Sequence, residues 1–173
     1  MIELSPLTRD RVSTLFKAAD VEAAERLLAH ECAENLPMNA SDATPAGLER
    51  IRFAAIRVSG GSLDRLRDAI RLAQIDWRDL LVSADFALRV DAHERWHPIR
   101  FDAAVVARWR AGDLPHGVAF ELNHRVRVMS GRRSGKRGSV ISLLGLEPEP
   151  RYRVELSSGE AVEAYQRMLE TTR

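Results

Sequence analysis

Two groups of side chains have the types and spacing that chemistry requires. In the first, His93-Glu94-Arg95-Trp96-His97, two imidazoles stand four residues apart with a carboxylate after the first. On a helix that spacing brings both rings to one face. There they can hold a zinc ion while the carboxylate activates its bound water. Metal-dependent hydrolysis through His93, Glu94 and His97 is therefore one function these residues allow. Three features of the sequence oppose it. Pro98 follows His97 directly, so the helix has no turn left beyond the second ligand. No glycine and third histidine follow at a useful distance. The remaining carboxylates within reach, Asp102, Asp113 and Glu121, belong to no companion motif. The plain alternative is a short helix from Arg89 to His97, stopped by Pro98. Trp96 would then lie in the core and the histidines would be solvated near the negative end of the helix dipole.

The second group is basic. Arg125, Arg127, Arg132, Arg133, Lys136 and Arg137 are the six cations between Leu122 and Leu146, a stretch without a single acid. Such clusters bind phosphate through charge-assisted hydrogen bonds and counterion release. These six are the candidate contacts to nucleic acid or to an acidic partner. Aromatic side chains on which bases stack are sparse nearby: Tyr152, Tyr165 and Trp109. Without a ligand, the same cluster is a charged hairpin that keeps a strand edge soluble. The run Gly131-x-x-x-Gly135-Lys136-Arg137 is no P-loop, because the lysine is followed by arginine and then by a strand pattern. Ser130, Ser134 and Ser139 lack the setting of an activated nucleophile. The chain reads as non-enzymatic and calls for no cofactor and no metal.

The elements that must position the cations are strands. Val126 and Val128 alternate with Arg125 and Arg127, the period of a half-buried strand. Glycines at Gly131, Gly135 and Gly138 shape a tight loop, and Val140-Ile141-Ser142-Leu143 begins a second strand. The positions Val126, Val128, Gly131, Gly135, Gly138 and Val140 resemble the KOW motif of small five-stranded barrels in ribosomal proteins and transcription elongation factors. That resemblance covers about residues 120–170. It implies a barrel of KOW or Src-homology type whose basic loop contacts RNA, a ribonucleoprotein or the transcription machinery.

Tyr152, Val154 and Leu156 form a third alternating strand, and Ala161 to Gln166 a fourth beyond the Ser158-Gly159 turn. Phe120–Leu122 is the expected fifth strand, and Arg167-Met168-Leu169 a closing turn. About fifty residues make a small independent core. The barrel is therefore expected to lean on the helix Ala103 to Ala111, capped by Asp102 and carrying Trp109, or on the helical bundle.

Residues 1–97 read as an antiparallel helical bundle. Asp20, Thr44-Pro45, Ser62 and Asp76 are its helix starts, and Gly60-Gly61 separates two of the helices. Cys32 is most simply a small buried residue. The stretches Leu48 to Ala55 and Asp76 to Leu81 resemble segments of small bacterial helical proteins without an assigned activity, over about residues 8–97. The expected architecture is α+β in two domains: a helical bundle at 1–97, a connecting helix and turn at 98–119, and a β-barrel at 120–173.

Charge divides along the same line. Residues 1–97 hold 13 Arg and Lys against 16 Asp and Glu, whereas residues 98–173 hold 13 against 9. An acidic bundle beside a basic barrel also suits an adaptor or an immunity-type inhibitor that binds an acidic protein surface. Arg outnumbers Lys 24 to 2, so its abundance in the loop is partly a habit of the whole chain. No apolar run approaches the roughly 20 residues that span a bilayer. Met1 to Pro6 lacks the basic region and apolar core of a signal peptide. With Cys32 alone and no disulfide to form, the expected setting is the reducing cytoplasm, away from membranes.

Overall fold

The computed structural model describes residues 3–33, 35–39 and 41–172. Among them the chain is α+β, with six helices and one five-stranded antiparallel sheet. They fall into two compact units, and the chain passes from one to the other between Arg100 and Phe101.

The first unit is helical. Helix α1, Pro6–Leu15, starts where Ser5 Oγ accepts the Thr8 N–H at 3.1 Å, with proline at the first helical position. Helix α2, Val21–His30, has Asp20 at its N-cap but no side-chain bond there. Helix α3, Pro45–Ser59, is capped by Thr44, whose hydroxyl accepts the Gly47 N–H at 3.0 Å. Gly60, at φ 56°, ends it in the left-handed conformation that glycine adopts without steric cost.

Helix α4, Leu63–Ser83, begins at Ser62. The helix start expected at Asp76 is realised as a kink within α4. The Asp76 backbone turns to φ −150° and ψ 101°, and its carboxylate accepts the Arg78 N–H at 2.9 Å. The core gathers Val12, Phe16, Leu28, Ile51, Phe53, Ile56, Leu66, Ile70, Leu80 and Phe86, with Cys32 buried just past α2. Burial pushes the Cys32 thiol up to about 12, which leaves it protonated and inert at neutral pH.

Helix α5, Ala92–Arg95, is a single turn. The expected Arg89–His97 helix is therefore corrected to four residues. Trp96 is already extended, with ψ 124°, and the proline ring at 98 disfavours helical geometry for His97.

The second unit holds helix α6, Ala103–Arg110, and strands β1, Arg125–Val128; β2, Arg137–Gly145; β3, Arg151–Leu156; β4, Ala161–Tyr165; and β5, Leu169–Thr171. Asp102 caps α6 as expected, accepting the N–H groups of Ala104 and Val105 at 3.0 Å each. The strand order is β4-β3-β2-β1-β5.

Two expectations are corrected here. The fifth strand is Leu169–Thr171, which pairs with β1, and Phe120–Leu122 forms no strand. Phe120 is buried instead, its carbonyl taking the Trp109 indole N–H at 2.8 Å. The sheet is also open. Register shifts between Val140 and Ser142 and between Leu143 and Gly145 break the regular pleat of β2, but among the described residues no ladder joins the edge strands β4 and β5. Trp109, Val118 and Phe120 cover the inner face and share a core with Val126, Val140, Tyr152 and Val154. The apolar face is thus closed by the α6 segment, where a barrel would close it with its own strands. Among the described residues no helix is long and apolar enough to cross a membrane.

Candidate polyanion-binding face

The register of the sheet decides where each cation points. Residues directly opposite on paired strands share a face. Val126, Val128, Val140, Val154 and Leu156 are buried on the inner face. Arg125 and Arg127 alternate with them and therefore stand on the outer face. Arg127 lies opposite Arg137 on β2 and Glu170 on β5, while Arg125 lies opposite Ser139. Three guanidinium groups thus share the outer face of two neighbouring strands. Like charges set directly opposite disfavour a sheet pair, a cost that Glu170 on the other flank of Arg127 offsets in part. Among the described residues, Arg125, Arg127, Arg132, Lys136 and Arg137 form no ion pair.

Glycine sets the geometry beneath this face. At Gly138 an added Cβ would lie 2.3 Å from the Glu155 carbonyl oxygen, so only glycine lets β2 and β3 approach this closely. Gly131 and Gly135 have φ of 79° and 82° in the loop between β1 and β2. That loop is held by its own backbone. The Val128 N–H donates to the Lys136 carbonyl at 2.9 Å, and the Gly135 N–H to the Val128 carbonyl at 2.7 Å. Ser134 Oγ donates to the Met129 carbonyl at 3.1 Å. The cations are therefore presented by an ordered turn.

Arg133 departs from the expected solvated cluster. Its Nε and Nη2 grip the Glu160 carboxylate at 2.9 and 2.5 Å. The hydrogen bond from Arg133 holds the Glu160 carboxyl below the usual carboxylate range and raises the guanidinium above its ordinary value. No local signal announces this bond, because Glu160 lies in the turn between β3 and β4, 27 residues away. The proposed stacking residues are also withdrawn from solvent. Trp109 and Tyr152 are both fully buried, and the Tyr152 hydroxyl donates to Gln166 Oε1 at 2.7 Å. Burial raises the Tyr152 phenol above its ordinary value. Tyr165 remains partly exposed, with Arg167 stacked over its ring.

Two shallow grooves run along the basic side of the unit. One, of about 470 Å³, is lined by Arg125, Arg137, Ser139, Glu155, Ser157 and Thr172. The other, of about 490 Å³, lies between the β1–β2 and β3–β4 turns and is lined by Arg133, Lys136, Arg137, Ser157, Ser158 and Glu160. Arg137 and Ser157 border both. No family model matches the sequence, and no curated protein or solved structure matches it either.

The histidine pair is not brought together as a metal site would need. His93 is buried, with Nδ1 2.9 Å from the Val90 carbonyl and its ring edge-on to Phe53 and Phe86. His97 lies past the end of α5 and is exposed. The two therefore do not share a helical face, and the expectation that both are solvated is corrected for His93. Among the described residues no group of three or more histidine, cysteine or acidic side chains is placed to hold a metal ion.

Proposed function

We propose that this chain is a non-enzymatic binding protein whose basic outer face contacts the phosphate backbone of RNA or of a ribonucleoprotein. The observation that carries this reading is the juxtaposition of Arg127 with Arg137 beside Arg125, none of them in an ion pair among the described residues, on an ordered two-stranded platform. An anion laid across the face removes the repulsion that the free protein tolerates. The KOW resemblance of residues 126–140 points to the same class of ligand.

The burial of Trp109 and Tyr152 narrows the proposal. With no stacking platform beside the arginines, the face engages phosphates and does not read unstacked bases. Structured RNA is then the ligand class of choice over single strands. The same scarcity of exposed aromatics favours a second reading, an acidic protein surface, because complementary charge needs no stacking.

Fluorescence anisotropy with an RNA duplex hairpin, at several salt concentrations, tests the proposal. Neutralising up to five phosphates predicts a log–log salt slope no steeper than about −4.5. The combined R125Q, R127Q and R137Q substitutions should lower affinity at least tenfold and flatten the slope, with thermal stability retained. Negligible binding at low salt rejects the RNA reading and leaves the acidic-protein reading.

A further inference from the structure

The groove between the two turns has the composition of an anion subsite, yet its strongest donor is already engaged. Arg133, Lys136 and Arg137 supply three cations, and Ser158 supplies a hydroxyl. Ser157 is fixed in place: its N–H and its Oγ donate to the Arg137 carbonyl at 3.0 and 3.1 Å. Glu160 is the only acid on this lining. Its carboxylate receives Arg133 through two guanidinium nitrogens, the fork geometry with which arginine also grips a phosphate. Arg132 adds a further attraction to the same carboxylate. Both partners of the pair remain substantially open to water, at 39% and 44% side-chain exposure, so a competing anion can reach them.

We propose that this groove is a phosphate subsite which the Glu160 carboxylate occupies in the free protein. A phosphate of the ligand takes over Arg133 and displaces Glu160 toward solvent. The inference rests on the RNA-binding reading for the identity of the ligand, but the subsite itself needs only a phosphate group. Glu160 then acts as an internal competitor. It lowers the affinity of the basic side for weakly held anions and leaves one cation in reserve for a ligand that reaches both the outer face and the groove.

The test is a double-mutant cycle with E160Q and R133Q, read by anisotropy on the RNA hairpin. E160Q keeps the shape of the side chain and removes its charge. It should tighten binding about three- to tenfold, because no carboxylate has to be displaced before a phosphate reaches Arg133. R133Q should cost little in the wild-type background and most of that gain in the E160Q background. Equal losses in both backgrounds, or an unchanged or weaker E160Q complex, would overturn the proposal. A second readout separates it from the broader reading. Inorganic phosphate is titrated into wild-type protein and E160Q, and the Ser157 and Ser158 amide signals are followed by NMR. Saturable shifts at lower phosphate concentration in E160Q support the subsite even if RNA does not bind. Absence of shifts in both proteins rejects the subsite, whatever the RNA titration gives.

Discussion

Both units pair arginines with acids of their own chain, but the sheet unit also gathers several guanidinium groups that have no such partner on one face. In the helical unit arginine is structural material. Arg11 is 2% exposed, with its guanidinium 4.5 Å from the Phe53 ring centroid. Arg52 is 4% exposed and donates from Nε to the Cys32 carbonyl at 3.1 Å. Burial lowers the pKa of both. Arg50 ties the carbonyls of Phe86 and Arg89. Surface arginines there pair along the helix, as Arg67 does with Asp64 and Arg71 with Asp68. In the sheet unit Arg125, Arg127 and Arg137 bond to no carboxylate among the described residues and share one outer face. An arginine-rich composition therefore says little about binding. What separates the two uses is whether topology hands each guanidinium a partner from its own chain.

Three changes break or sharpen this contrast. The largest effect is expected for Trp109→Ala, which empties the centre of the second core and strands the Phe120 carbonyl. It should destabilise the sheet unit by about 3–5 kcal/mol. Cys32 supplies the control. It is the single cysteine of the chain and lies within the helical unit, so a thiol reagent labels it only when that unit opens. Chemical denaturation followed both by circular dichroism of the sheet and by Cys32 labelling should show the first transition shifted and the second unmoved. A parallel shift in both would mean that the cores are not energetically separate.

Next comes Arg52→Ala set against Arg125→Ala. The first leaves the Cys32 carbonyl without its donor and removes packed methylenes, at a cost of roughly 2–4 kcal/mol. The second removes an exposed side chain and should stay within about 0.5 kcal/mol. Equal losses in urea melts would erase the distinction between structural and available arginines.

The smallest effect is a pH dependence. Glu160 has its folded pKa depressed by Arg133. The pair's contribution is therefore present above the ordinary carboxylate range and lost as pH falls through the depressed value. The R133Q variant should lack this acid-side loss. A pH titration of the Glu160 side-chain carbon by NMR, wild type against R133Q, reads the shift directly.

Much of the fold is legible because its signals are local. Thr44-Pro45, Ser62 and Asp102 begin helices at those residues, and Asp76 breaks one. The alternation of Val126 and Val128 with arginines gives β1 its two faces. The same kind of signal stands at Ser5-Pro6, which starts α1 by the device seen at Thr44-Pro45. What the sequence withholds is pairing at a distance. Nothing in Leu169–Thr171 distinguishes a strand that joins β1 from a closing turn, and nothing in Phe120–Leu122 says that a buried indole will claim its carbonyl. The candidate face follows the same rule. Its glycines and cations are visible in one stretch, whereas the capture of Arg133 by Glu160 depends on how two hairpins are brought side by side. Likewise, His93 and His97 look alike in sequence. The early end of α5 sends one into the core and the other to solvent.

The seating of β1 between β2 and β5 has a consequence for assembly order. A chain made from its N-terminus can zip β1 to β2 once β2 itself has emerged, but the opposite flank of β1 stays bare until residues 169–171 have left the ribosome. During that interval Arg125 and Arg127 sit on an outermost strand, and Glu170 is not yet across from Arg127. The newborn basic surface is then less rigid and more positive than the mature one, so docking of the last three-residue strand both stiffens it and tempers its charge.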